Sequence, residues 1–268
     1  LEARLRQVFS SNARSSANEW PQLLVLTGDN AHGDQEEEAP YVKLQASLQG
    51  CVPPRVPVEI LPGNHDRRQH LAALALDKSG TGRKRLPACP DKATFASLEA
   101  CGWLVVGCDS LQEGSGHGEL GSVQLQWLSD ILSAHPSAPA ILFMHHPPLP
   151  HLELGWAPGF TRQAGVLFDE GDRLALEALL QGHAGQQVKA ICVGHVHAEF
   201  EVPIAGVPVL GTPSSWVQHS ITATEPVDRV AYEDIPPGWR LIRLAGRTLE
   251  HASVETVVVR VGDGTPKL

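Results

Sequence analysis

Positive charge is scarce in this chain. Lys and Arg total 21 against 30 Asp and Glu, a formal charge of −9. A nucleic-acid partner calls for a basic face, so none is expected. If the substrate carries a phosphate, that charge must be met by something other than Lys and Arg, and a metal centre would do it. Long apolar runs are also lacking. A bilayer span needs about 20 apolar residues in succession, so no membrane partner is expected. Cysteine is sparse and scattered: Cys51, Cys89, Cys101, Cys108 and Cys192 form no CxxC pair. An odd, unpaired set reads as reduced thiols in a cytoplasmic protein. The opening Leu1-Glu2-Ala3-Arg4 has neither the basic nor the apolar region of a signal peptide, although the first residue is not Met. Internal repeats and low-complexity linkers are missing too. What remains is 268 residues of 42% hydrophobic content, enough for a sizeable core.

The chain is organised around Leu61-Pro62-Gly63-Asn64-His65-Asp66. The apolar run 56–61 reads as a short buried strand that stops at Pro-Gly. Glycine permits a tight turn and close backbone approach. Asn64 can offer a neutral oxygen to a hard cation, His65 can move a proton, and Asp66 can orient His65. Turn chemistry alone would explain the same residues as a polar strand-to-helix turn capped by Asn64 or Asp66. Three further strand ends argue against so plain a reading.

Before that turn, apolar spacing predicts an exposed helix in residues 1–18 and a fully buried strand over 22–27 that ends in Gly28-Asp29. Glu36-Glu37-Glu38 suits a solvated helix start, and a second helix follows over 40–49. Beyond Asp66, residues 67–76 have helical composition. The basic stretch Lys78–Arg85 reads as a surface loop, and its glycines do not make a phosphate-binding loop because no strand precedes them. Strands are expected over 103–108, 140–144 and 188–193, with helices over 123–132 and 172–181. Val202-Pro203-Ile204 and Val207-Pro208-Val209-Leu210, joined by Ala205-Gly206, carry a hairpin signal with prolines at edge positions. Residues 239–244 and 254–261 read as two more strands.

Four apolar strands therefore end in Gly28-Asp29, Gly63-Asn64-His65-Asp66, His145-His146-Pro147-Pro148 and Gly194-His195-Val196-His197. In a sheet with parallel strands the carboxyl ends share one edge, and ligands bind there. The donors so assembled are oxygens and imidazoles with no thiolate, a set that suits Mn, Fe, Co or Zn better than Ca or Mg. His70, His117, His135, His151, His183, His219 and His251 carry no assignment. The spread of motifs over residues 28–197 favours a single domain spanning 1–268.

These motifs, in this order, resemble those of the calcineurin-like metallophosphoesterase superfamily. The chain is similar within it to the class III cyclic-nucleotide phosphodiesterases, the bacterial 3′,5′-cyclic AMP group. The finer likeness rests on Ser115-Gly116-His117-Gly118-Glu119-Leu120, Thr212-Pro213-Ser214-Ser215 and Ile235-Pro236-Pro237-Gly238-Trp239-Arg240. The resemblance implies an α/β fold, a four-layer α-β-β-α sandwich with two mixed sheets, and two metal ions (Mn, Fe, or Zn/Co). Asp29 would bridge the ions. Asn64, His145 and His195 would complete one site and His197 would serve the other. His65 would contact phosphate and protonate the leaving oxygen, with Asp66 as its orienter, so that Asp29, Asn64, His65 and His197 all face substrate. One departure stands out: the family opens with a strand ending in Asp-x-His, and none precedes Gly28-Asp29 here. The expectation is a chain lacking its first strand, with the second metal site the weaker.

The activity implied is hydrolysis of 3′,5′-cyclic AMP to 5′-AMP by attack of a metal-bridging hydroxide. Two alternatives stay open. One is a broader phosphodiesterase acting on glycerophosphodiesters or 2′,3′-cyclic nucleotides. The other is a non-catalytic module that binds metal and nucleotide. A small-molecule phosphodiester is the expected partner, and a homodimer is the assembly to be tested.

Overall fold

The computed structural model describes residues 2–9, 21–31, 38–74, 83–99, 101–149, 168–221 and 232–263. Its centre is a seven-stranded mixed sheet. The strands are β3 (Lys84–Leu86), β4 (Phe95–Leu98), β5 (Leu104–Gly107), β6 (Ala140–Met144), β7 (Val188–Val193), β8 (Phe200–Ile204) and β9 (Val207–Gly211), in the order β3-β4-β5-β6-β7-β9-β8. β5, β6, β7 and β9 run parallel to one another, and the outer pairs are antiparallel. Below it lie two smaller pieces. β1 (Leu24–Thr27) pairs in parallel with β2 (Val58–Leu61), and β12 (Gly238–Ala245) pairs antiparallel with β13 (Ser253–Arg260).

Two-residue alternation sorts the apolar side chains between layers. On β6, Ile141 and Phe143 face the inter-sheet core with Leu61, Trp103, Val105, Cys192 and Leu210, and Val25, Ile242 and Leu244 close it from the smaller sheets. Ala140, Leu142 and Met144 face the opposite way. There they meet Leu128 and Leu132 of α4 (Ser122–Ala134) and Leu176 and Leu180 of α5 (Glu170–Gln181). On the far side, Leu5 and Phe9 of α1 (Glu2–Phe9) and Leu44 and Leu48 of α2 (Ala39–Cys51) cover Val58 and Ile60. The layers are thus helix, sheet, sheet, helix, as expected, with the second sheet in two pieces among the described residues.

Several expectations need correction. The first strand is half-buried at every position rather than buried, because among the described residues β1 is paired on one edge only. The first helix, described to Phe9, is not exposed throughout, because Leu5 and Phe9 are buried against α2 and β2; the third shrinks to α3 (Arg68–Ala72), and the rest of each expected helix lies outside the described residues or in a turn. Residues 78–82 of the basic stretch lie outside the described residues, but Lys84 and Arg85 belong to β3. Arg83 and Arg85 both bind Glu59 of β2, and Arg83 also meets Glu99 at 2.8 Å. Their charge therefore links the two sheets. Pro203 sits on the edge strand β8 as expected, whereas Pro208 is in β9, which is interior. It is tolerated because pairing with β7 begins one residue later, at Val209.

Candidate metal centre

The carboxyl ends of four strands converge, and the sheet registers bring them level. Thr27 lies beside Leu61, Met144 beside Val193, and Val193 beside Gly211. A hydrogen bond of 2.7 Å from His145 Nδ1 to the Thr27 carbonyl joins the large sheet to β1. The backbone turns sharply just past these ends. Asp29, His195 and His197 all adopt left-handed conformations, with φ of 52°, 62° and 53°. Non-glycine residues pay for that backbone strain, and it collects where side-chain placement matters most.

His145 organises the cluster. A carbonyl oxygen can only accept, so the Nδ1 facing Thr27 carries the proton and Nε2 presents a lone pair. Nε2 lies 3.1 Å from Asn64 Oδ1, 3.1 Å from His195 Nδ1 and 3.3 Å from Asp29 Oδ2. An amide oxygen, a carboxylate and two imidazoles thus aim at one small volume. Lone pairs so crowded repel unless a cation stands among them, and a mixed N/O set of this kind fits a transition-metal ion. The field agrees. Despite burial, Asp29 raises the His145 pKa, and the imidazole and the His65 amide hold Asp29 well below the usual carboxylate range.

Close backbone approach makes the convergence possible. A Cβ on Gly63 would run into the Asp29 side chain and lie 2.7 Å from His145 Cε1. A Cβ on Gly28, where φ is 100°, would strike the His145 ring. The other Asp29 oxygen accepts from the His65 backbone amide at 3.0 Å. That contact seats the exposed His65 side chain at the rim of the centre.

Asp66 has a different duty from the one expected of it. Five donors converge on its buried carboxylate: Asn30 N and Nδ2, Ala31 N, Tyr41 OH and Gly63 N. Its lone pairs are taken by these backbone and side-chain donors. It therefore positions His65 by fixing the turn that carries it and by locking that turn to the segment after Asp29. Asn30 and Tyr41 share this work, and no pattern in the sequence marked them for it.

The structure brings Asp29, Asn64, His145 and His195 together, and His197 stands to one side, still within the field of Asp29. Its ring stacks on His219, with centroids 4.3 Å apart and planes at 16°. Burial and that neighbour lower the His197 pKa to about 4. His146, the second of the pair, is also turned inward. One of its ring nitrogens lies within 4.8 Å of a ring nitrogen of His145 and of one of His195. Nδ1 meets Ser110 Oγ at 2.9 Å, and the buried Nε2 has no hydrogen-bond partner among the described residues. Burial keeps this imidazole neutral.

The model for calcineurin-like phosphoesterases matches residues 2–199. The chain belongs to that family. It is 31% identical over 223 residues to the 3′,5′-cyclic adenosine monophosphate phosphodiesterase CpdA of Escherichia coli K12, covering 83% of this chain and 70% of that protein. A cAMP/cGMP dual specificity phosphodiesterase of Mycobacterium tuberculosis is 28% identical over 254 residues, 91% of this chain and 71% of that protein. A probable cyclic nucleotide phosphodiesterase of Rhodococcus erythropolis is 28% identical over 253 residues, 94% of this chain and 75% of that protein. Among solved structures, one titled "Structure of PhoD" superposes with a TM-score of 0.52 over 97% of this chain and 67% of that one, at 11% identity, which speaks to the fold alone. No helix among the described residues is long and apolar enough to cross a membrane.

Proposed function

We propose that this protein is a metal-dependent phosphodiesterase that hydrolyses 3′,5′-cyclic AMP to 5′-AMP. The observation that carries the reading is the convergence of Asn64, His195 and Asp29 on His145 Nε2, with His65 seated beside it. The names of the related phosphodiesterases support the choice of substrate.

Asp29, Asn64, His145 and His195 would hold one ion, with His146 backing them, and Asp29 and His197 would serve a second. When bound, such ions polarise a phosphoryl oxygen and lower the pKa of water. The protein does the rest. Asp29 fixes the His65 backbone through its second oxygen, so the position of the imidazole is tied to that of the ligand set. His65 faces solvent and the incoming phosphate, and gives its proton to the departing ester oxygen. Thr27 and Ser110 hold His145 and His146 in fixed orientations through their Nδ1 atoms, which sharpens the geometry of the centre.

The test is turnover of 3′,5′-cAMP by the protein with Mn²⁺, alongside glycerophosphocholine, a 2′,3′-cyclic nucleotide and methyl p-nitrophenyl phosphate. Release of 5′-AMP with the highest kcat/KM of the panel is the expected result. Turnover of the other diesters but not of cAMP would overturn the substrate assignment. Tight metal binding with no turnover of any diester would overturn the catalytic reading.

A further inference from the structure

Strand β5 ends beside β6 and supplies no candidate ligand, yet a dense set of buried polar contacts gathers just past it. Cys108 N still bonds the Phe143 carbonyl of β6 at 2.7 Å. At Asp109 the side chain of Gln124, from α4, takes the place of a neighbouring strand. Asp109 N donates to Gln124 Oε1 at 2.7 Å, and Gln124 Nε2 donates to the Asp109 carbonyl at 2.8 Å. Both residues are fully buried. The Asp109 carboxylate is thereby fixed, and it accepts from Ala93 N at 2.8 Å and Leu111 N at 3.0 Å. A buried carboxylate also needs a counter-charge. Arg68 supplies it with a two-pronged grip: Nε lies 2.6 Å from Oδ2 and Nη2 lies 3.0 Å from Oδ1. Nη2 also donates to the Leu111 carbonyl, and Nη1 lies 3.4 Å from Glu113.

Arg68 opens α3, three residues after His65. The residues between them are held from the other direction. His65 N donates to Asp29, Asp66 accepts from Asn30 and Ala31, and Arg67 N donates to Tyr41 OH at 2.9 Å. Asp29, Asn30 and Ala31 follow β1, and Tyr41 belongs to α2, so these contacts anchor the segment to the side of the small parallel sheet. Arg68 anchors it to the large one. The turn that carries the exposed His65 imidazole therefore spans the two sheets, with a buried ion pair at its far end. Charge-assisted, bidentate contacts of this kind are strong and directional.

The geometry points to Arg68 and Asp109 as positioning residues for His65: their ion pair, braced by Gln124, sets where the His65 imidazole stands relative to a phosphate at the metal centre. The inference rests on the phosphodiesterase reading above and adds the groups that aim its general acid. Neither side chain touches substrate in this role. A tie that merely held the sheets together would use the same contacts, but the two roles differ in one respect. Aiming a general acid matters only where the leaving oxygen needs a proton.

The experiment compares two diesters on the Mn²⁺-loaded protein: 3′,5′-cAMP, whose departing 3′-oxygen needs a proton, and methyl p-nitrophenyl phosphate, whose nitrophenolate leaves without one. Arg68→Ala strips the counter-charge from a buried carboxylate and weakens the fold. Arg68→Lys, which keeps a charge but loses the fork, is therefore measured beside it. The kcat for cAMP should fall by about 100-fold in the Ala variant and about 10-fold in the Lys variant, with KM within about threefold, while the nitrophenyl ester loses no more than about threefold. In a His65→Ala background the same changes should cost cAMP turnover less than about threefold, because the group they aim is gone. Equal losses on the two esters, or a loss that persists in full without His65, would overturn the positioning role and leave a structural tie. Unchanged cAMP turnover in both variants would overturn it as well. A crystal structure of Arg68→Lys reads the position without turnover: His65 should lie about 0.5 Å or more from its wild-type place, and an unmoved His65 would overturn the proposal. Failure of the wild-type protein to hydrolyse cAMP bears on the proposed function and leaves that structural comparison standing.

Discussion

Replacing Asp66 by Asn distinguishes two roles for this carboxylate. If it worked on the His65 ring, as the sequence led us to expect, Asp66→Asn would lower turnover and leave folding and metal binding alone. The structure predicts otherwise. Oδ2 accepts from Asn30 N, Asn30 Nδ2 and Gly63 N at 3.1, 2.9 and 2.9 Å. Oδ1 accepts from Asn30 N, Ala31 N and Tyr41 OH at 3.2, 3.2 and 3.3 Å. An asparagine must place its NH₂ on one side. The cheaper choice is the Oδ1 side, where the tyrosine hydroxyl can turn and accept. Ala31 N–H is then stranded in a buried place, which costs about 1–3 kcal/mol. The remaining bonds lose their charge assistance, roughly half their strength. A total of about 2–4 kcal/mol follows, or a fall in Tm of roughly 4–8 °C for a chain of this size. The same turn carries Asn64, so Mn²⁺ affinity should fall about 10- to 100-fold. Thermal or urea unfolding of the metal-free protein, with Mn²⁺ titration of both forms, reads both numbers. Loss of stability under about 0.5 kcal/mol, with unchanged Mn²⁺ affinity, would refute the reasoning.

His65→Ala should retain Mn²⁺ binding, because the contact with Asp29 is made by the backbone amide, and should cut turnover of cAMP by about 10² or more; normal turnover would remove His65 from the mechanism. Gly63→Ala should abolish Mn²⁺ binding, since the new Cβ would enter the space of Asp29 and His145, whereas Gly50→Ala meets nothing within 4 Å and should stabilise α2 by about 0.5–1 kcal/mol. A Gly63→Ala protein that binds Mn²⁺ like wild type would contradict the close approach. His197, whose pKa is lowered to about 4, stays neutral in the fold while the unfolded chain protonates. Stability of the chelator-stripped protein is thus complete above about pH 6.5 and is lost as pH falls toward 4, by at most about 3 kcal/mol from this group. His197→Gln should flatten that part of the profile, and an unaltered profile would count against the assignment.

Much of the fold was legible because it depends on short-range patterns. The apolar runs 140–144 and 188–193 have the length and composition of strands buried on both faces, and the structure has strands with the same bounds. Strands β3 and β4 left no such trace. Lys84-Arg85-Leu86 is a strand because Arg83 and Arg85 find a buried Glu59 across the sheet gap, and a partner 24 or more residues away is invisible in local composition. The two-residue ribbon strands β10 (Gln218–His219) and β11 (Tyr232–Glu233) are too short for any periodicity to register.

The site divides along the same line. Asp29, Asn64, His145 and His195 could be read from sequence because each stands at the end of an apolar run, and parallel strand ends must share an edge. What each polar group binds could not be read, because that depends on loop conformation. Asp66 follows His65 directly, which suggested that one orients the other, yet the backbone aims the carboxylate back toward Asn30 and Ala31. His219 lies 22 residues from His197, with no motif linking them, and reaches it only because the chain leaves β9 at the same sheet edge and folds back as β10. Sequence thus exposes the candidate ligands, which sit just past strand ends, and hides the groups that aim them, which depend on how the chain returns from its loops.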